Sequence, residues 1–208
     1  MKRIKIIAGV LFTLIVLNFS PAGAEAHNSA DLYVGSTGQE VKELQASLQA
    51  LGYFHADTTG YYGPITKNAV ERFQADFNIT STGYTGPLTR NMMDQIEMIA
   101  HVVHGEARGE SYEGQVAVAA VILNRIESSA FPNTTYEVVF QRNAFTAVND
   151  GQYWLSPSTT AFRAVKDAFF GWDPSYGATY YYNPSGVTDT WIFSRDVIRQ
   201  IGNHHFAR

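Results

Sequence analysis

Between residues 39 and 77, apolar side chains recur at three- and four-residue intervals. Val41, Leu44, Leu48 and Leu51 form one stripe, and Ile65, Ala69, Val70, Phe73 and Phe77 form a second. This is the spacing of two amphipathic helices, each burying one face. Gly52 supplies a stop for the first. A near-duplicate turn frames the second: residues 59–68 read TGYYGPITKN and residues 82–91 read TGYTGPLTRN, an offset of 23 residues. In each copy a glycine permits a tight turn with positive φ. The following Gly-Pro pair starts a helix, with Pro64 or Pro87 at its first position, where the missing N–H costs nothing. The pattern predicts a small three-helix domain over residues 31–93.

After it the spacing changes. Asp94 reads as a helix cap, with Ile96, Ile99 and Val103 on one face beyond it. Glu106, three residues after Val103, continues that inward face. Glu110 follows a turn later, with Gly105 and Gly109 as possible helix breaks between them. Val116 to Leu123 is an unbroken apolar run, and residues 114–125 are predicted to form a buried central helix, ending in Asn124 and Arg125 as caps or surface pairs. Residues 161–170 are amphipathic and stop at Gly171. Residues 179–182 read as a strand closed by Asn183-Pro184, with Trp191-Ile192-Phe193 as its expected partner. The class predicted for this second domain, residues 95–208, and for the chain as a whole is α+β, mainly α.

Composition sharpens the picture. The chain has 208 residues and is 45% apolar, enough for one large or two small domains with a real core. Lys2, Arg3 and Lys5 precede an apolar run over residues 6–17, and Pro21-Ala22-Gly23-Ala24 adds small residues. Residues 1–26 are therefore expected to be a cleaved signal peptide; the apolar run is short for a membrane span of ~20 residues. Its removal takes the formal charge from -4 to -6. An acidic exported chain is a poor nucleic-acid binder. Without cysteine, disulfides, thiolate metal sites and a cysteine nucleophile are excluded.

The chemistry-bearing segment is residues 101–125, where Glu106 and Glu110 lie directly before the apolar run. Desolvation and mutual repulsion would hold one of these carboxyls protonated near neutral pH, the state required of a general acid cleaving a glycosidic bond. Two other readings fit the residues. His101 and His104, with His204 and His205, are conceivable zinc ligands of an amidase, although the HExxH pattern is missing. The repeat segment alone would also suit a non-catalytic binding protein, and Tyr53, Tyr61, Tyr62 and Tyr84, set in polar turns, are candidates to stack on sugars.

Resemblance to known families adds to this. Gly35-Ser36-Thr37-Gly38, Val41, Leu44-Gln45, Leu48, Leu51-Gly52-Tyr53, Gly63, Thr66, Ala69-Val70 and Phe73-Gln74 resemble the peptidoglycan-binding domain of bacterial wall hydrolases. The resemblance implies attachment to wall glycan or stem peptide. One departure lies at Thr58-Thr59, where the module usually carries an aspartate. The second half resembles the catalytic domain of the spore cortex-lytic enzymes. The matching blocks are Gly105-Glu106-Ala107-Arg108-Gly109-Glu110, Tyr112-Glu113-Gly114-Gln115-Val116-Ala117, Val121-Ile122-Leu123-Asn124-Arg125, Phe131-Pro132-Asn133-Thr134, Ala144-Phe145-Thr146-Ala147-Val148, Gly171-Trp172-Asp173-Pro174, Tyr180-Tyr181-Tyr182-Asn183-Pro184, Ser194-Arg195 and Ile201-Gly202.

This second resemblance implies a lysozyme-like, α-rich fold. It also implies cleavage of the muramic acid–glucosamine bond of spore cortex during germination, with Glu106 as the catalytic acid. The implied route is lytic transglycosylation, which needs one glutamate, no metal and no other cofactor. Glu110 would then be an environmental partner raising the proton affinity of Glu106, with Arg108 limiting that effect. Thr146, Tyr180, Asn183 and Arg195 are the residues expected to orient sugar and stabilise charge. The expected partner is peptidoglycan, and the expected location is the spore envelope.

Overall fold

In a computed structural model of the chain, residues 31–187 and 190–208 are described; the expected signal peptide lies outside them. The first part holds α1 (Gln39–Ala50) and α2 (Pro64–Asp76), followed by α3 (Pro87–Ala107). Pro64 and Pro87 each open a helix behind an extended glycine, Gly63 and Gly86, as their repeated sequence predicts. The repeat extends to a pair of buried glutamines. Gln45 donates to Tyr61 O and Thr66 Oγ1, each at 2.9 Å, and accepts from Gly60 N at 2.9 Å. Gln74 does the same for the second copy, with Tyr84 O at 2.8 Å, Thr89 Oγ1 at 2.9 Å and Gly83 N at 2.9 Å. Each glutamine satisfies the backbone of one turn inside the core, where an unpaired polar group is costly. The stripes are buried as expected except at Ile65, which is exposed.

α3 does not begin at Asp94. It runs unbroken from the second repeat turn to the residue after Glu106, and Asp94 lies within it. Residues 31–208 form one compact unit. α4 (Tyr112–Glu127) is the predicted central helix, capped by Ser111 Oγ, which accepts from Gly114 N. The short α5 (Thr135–Val139) and α6 (Thr146–Asn149) follow, then α7 (Thr159–Phe169). α7 packs on α3 and α4 and also reaches back to the first helices. Lys166 Nζ donates to Leu51 O at 2.8 Å and lies 4.8 Å from the Tyr53 ring centre, and Phe77 packs on Phe169 and Phe170 at 5.7 and 5.4 Å.

The chain ends in an antiparallel sheet of β1 (Tyr180–Tyr182), β2 (Val197–Ile201) and β3 (His204–Ala207), ordered β1-β3-β2. The partner of β1 is thus β3, pairing Tyr181 with Phe206, and not residues 191–193, which form a 3-10 turn. Aromatic residues there favoured a strand, but the C-terminal segment takes the hydrogen-bonding edge. Among the described residues no helix is long and apolar enough to cross a membrane.

Candidate active site

Glu106 sits in the last turn of α3, one turn beyond Val103, on the side that meets α6. The neighbouring Gly105 makes this contact possible: a Cβ there would overlap the Ala147 side chain. With α6 this close, Ala147 N donates to Glu106 Oε1 at 2.6 Å. Burial is the largest influence on the carboxyl and raises its pKa. The Ala147 N–H and the nearby Tyr181 hydroxyl pull it part of the way back, and the Asp150 charge adds to the rise. The net shift is upward, so the proton is held more firmly than on a free glutamate.

β1 presents Tyr181 to this carboxyl. Its hydroxyl is buried and makes no hydrogen bond of regular geometry. Burial first, and the Glu106 charge second, push the phenol well above its ordinary pKa. A groove of about 810 Å³ opens here, lined by Glu106 together with Thr146, Tyr180, Asn183, Phe131 and Trp191 among others. Among the described lining residues Glu106 is the one carboxylate.

Of the residues singled out in the sequence, Thr146, Tyr180 and Asn183 meet Glu106 in this groove. Arg195 does not line it; its guanidinium stacks over Trp191 at 4.4 Å and Tyr180 at 5.5 Å, bracing two aromatics that do. Glu110 does not line the groove. It accepts from Asn203 N at 3.2 Å and Asn203 Nδ2 at 3.0 Å, pinning the β2–β3 turn to the loop after α3. Gly202 in that turn has φ 56 and no room for a side chain against Glu110. α3 ends at Ala107, so the helical repeat that would have set Glu110 beside Glu106 stops short. Arg108 is exposed and outside the groove; burial first and the Arg108 charge second lower the pKa of His104 instead.

The histidines are engaged separately. His101 Nδ1 lies 2.5 Å from Tyr153 O, and His104 Nδ1 accepts from Ser158 N at 3.3 Å. His204 and His205 pack on Tyr181 and Tyr182. Among the described residues no three His, Asp or Glu side chains converge as a metal site. Tyr61 and Tyr84 are exposed, as sugar stacking requires, whereas Tyr53 and Tyr62 are core residues. The Tyr53 hydroxyl donates to Asp76 Oδ2 at 2.7 Å, and that of Tyr62 donates to Gly83 O at 2.9 Å, tying the two turns together.

Three groove residues escape the sequence reading. Trp191 reads there as strand, Tyr181 is hidden between two similar tyrosines, and Arg125 is taken for a surface residue. Arg125 is in fact 6% exposed. The signals for it were its place one turn after a wholly buried run and the aromatic residues that close over it.

Both segments of the chain match known families. The family described as Cell Wall Hydrolase matches residues 109–207, and the peptidoglycan binding domain family matches residues 37–93. A spore cortex-lytic enzyme of Bacillus cereus is 35% identical, with 98% of this chain and 96% of that protein covered. One of Bacillus subtilis is 55% identical over 55% of this chain and 37% of its own length. Among solved structures, the catalytic domain of the Bacillus cereus SleB protein is similar with a TM-score of 0.53 and 54% identity, covering 55% of this chain and 90% of that one. The catalytic domain of the germination-specific lytic transglycosylase SleB from Bacillus anthracis matches with a TM-score of 0.53 and 55% identity, over 55% and 94% of the two chains.

Proposed function

The chain belongs to the spore cortex-lytic enzyme family, and from that premise we propose that it degrades cortex peptidoglycan during germination as a lytic transglycosylase, with Glu106 as general acid and then base. One observation carries this reading: a single, desolvated carboxyl among the described residues of an aromatic-lined groove. A hydrolase needs a second carboxylate at ~5–5.5 or ~6.5–9.5 Å to act as nucleophile or to activate water. Glu110, the nearest in sequence, is committed to the β2–β3 turn, and Asp150, whose charge reaches Glu106, lies outside the groove lining and accepts from Gln152 N and Nε2.

The chemistry follows from the two oxygens of Glu106. Ala147 N–H holds Oε1 as an acceptor, which leaves the proton on Oε2. That proton passes to the glycosidic oxygen between muramic acid and glucosamine as the C1–O bond breaks. The resulting carboxylate accepts the proton of the muramic acid 6-hydroxyl while O6 closes onto C1. Glu106 is thereby restored, and the product carries a 1,6-anhydro end with no water consumed. Because the nucleophile belongs to the same sugar, little entropy is lost in bringing it to C1. Thr146, Asn183 and the faces of Tyr180 and Trp191 are suited to hold the sugars.

The segment over residues 31–93 serves as the wall attachment, with Tyr61 and Tyr84 as its exposed stacking faces. The chain acts in the spore envelope, exported by residues 1–26, and needs no cofactor. Digestion of purified cortex sacculi followed by mass analysis tests the reaction. Muramic ends lighter by one water than reducing ends are expected, and they should vanish with Glu106→Gln. Ordinary reducing ends would identify a hydrolase instead.

A further inference from the structure

Arg125 has no role in the chemistry above, yet its setting is unusual. α4 delivers it from the apolar run to the wall of the groove, where it is 6% exposed. Its Nε donates to Thr179 O at 2.7 Å. The guanidinium lies against three rings, 5.2 Å from the centre of Phe131, 5.0 Å from Phe145 and 5.8 Å from Tyr180. Ring faces favour a cation and hold it flat, but they leave its N–H edge unused.

Among the described residues no acid pairs with Arg125, and neither terminal nitrogen donates a hydrogen bond to the protein. Arg199, far more exposed, does have its acid, Glu113 at 2.6 Å. A cation so deeply buried is ordinarily neutralised and fully hydrogen-bonded, because removal from water is costly otherwise. Glu106 shares the groove but lies beyond ion-pair distance, and its charge only partly offsets the burial that lowers the Arg125 pKa. The terminal nitrogens are not sealed away from the groove, so an oxygen brought into it can reach them.

We propose that Arg125 is a substrate-binding residue whose terminal nitrogens take a carbonyl or carboxylate oxygen carried by the glycan strand beside the bond that Glu106 protonates. The inference rests on the muralytic reading above. A glycan strand has two sources of such an oxygen. One is the 2-acetamido carbonyl present on both sugars, and the other is the carbonyl of the 3-lactyl substituent, found on muramic acid alone. The planar N–H fork suits either, whereas a lysine would give charge without the fork.

The test is calorimetric binding to the Glu106→Gln chain, which cannot turn over the ligand. The probes are a tetrasaccharide alternating N-acetylglucosamine with N-acetylmuramic acid, and a tetrasaccharide of N-acetylglucosamine alone. Adding Arg125→Lys is expected to weaken the first by about tenfold or more, the loss of a charge-assisted hydrogen bond. Weakening of the first alone assigns the lactyl carbonyl; equal weakening of both assigns the acetamido carbonyl. Unchanged binding of both, at an unchanged melting temperature, overturns the proposal.

A ligand-side measurement guards against a variant that fails to fold. Reducing the lactyl carboxyls to alcohols, or removing the acetyl groups, should cost the Glu106→Gln chain a similar factor for one of the two edits. Undiminished binding of both edited ligands overturns the proposal as well. If the Glu106→Gln chain binds no glycan at all, the muralytic reading falls along with it.

Discussion

Gly105 and Ala147 touch with no space between them for another methyl group. That contact sets the distance between α3 and α6, and therefore the hydrogen bond from Ala147 N to Glu106 Oε1. Gly105→Ala should push α6 outward and break that bond. Displacements on the scale of 1 Å at a reacting group cost about 10²-fold in rate. We expect a loss of that order in sacculus lysis with the overall fold retained, checked by turbidity loss alongside far-UV circular dichroism.

Glu106→Gln should lower the rate by roughly 10²–10⁴-fold, the usual worth of general acid–base catalysis. It should also stabilise the protein at neutral pH. The folded-state pKa of Glu106 is raised by burial, so its favourable contribution is complete below the unfolded pKa of about 4.3. It is lost as pH rises through the folded value. Glutamine has no such loss. The melting temperature of the variant should therefore gain on the parent between pH 4 and pH 7, and a constant difference across that range would contradict this.

Tyr181→Phe should move the pH profile. The hydroxyl favours the carboxylate form of Glu106, so its removal raises the carboxyl pKa further. Activity requires the protonated acid at the start, and the alkaline limb of kcat/KM should shift to higher pH. The maximal rate should fall, because the carboxylate formed midway loses a potential donor. A purely structural role for the ring would leave the limb in place.

Asp173 should govern part of the acid stability. Burial alone would raise its pKa, but hydrogen bonds from Ser175, Asn124 and Gly177 outweigh it and the net shift is downward. The contacts are Ser175 N at 2.8 Å, Asn124 Nδ2 at 3.1 Å and Gly177 N at 2.7 Å. A lowered carboxyl pKa gives stability above its unfolded value of about 3.9 and loses it as pH falls through the folded value. Asp173→Asn should cost about 1–2 kcal/mol at pH 7 and flatten the decline seen below pH 4 in thermal melts.

Periodicity carried much of this structure in plain sight. The stripes of α1, α2 and α4, both Gly-Pro helix starts and the inward register of Glu106 depend on neighbours within a turn or two, where sequence spacing and spatial spacing coincide. What it concealed depends on distant partners. Tyr61 and Tyr62 are adjacent in a polar turn, and the buried one, Tyr62, finds its partners Gly83 and Thr85 more than twenty residues later. Glu110 finds its partner 93 residues later. Arg125 is an ordinary helix-end arginine until Phe131, Phe145 and Tyr180 fold over it.

The unbroken course of α3 links holding to cutting. Thr89, gripped by Gln74 beneath the second repeat turn, and Glu106 ride on the same 21-residue rod, whose full length is about 30 Å. Such a rod transmits rotation as well as distance. One residue inserted midway would swing the acid by about 100° relative to the turns behind it, so the phase of this helix, as much as its chemistry, aims the blade.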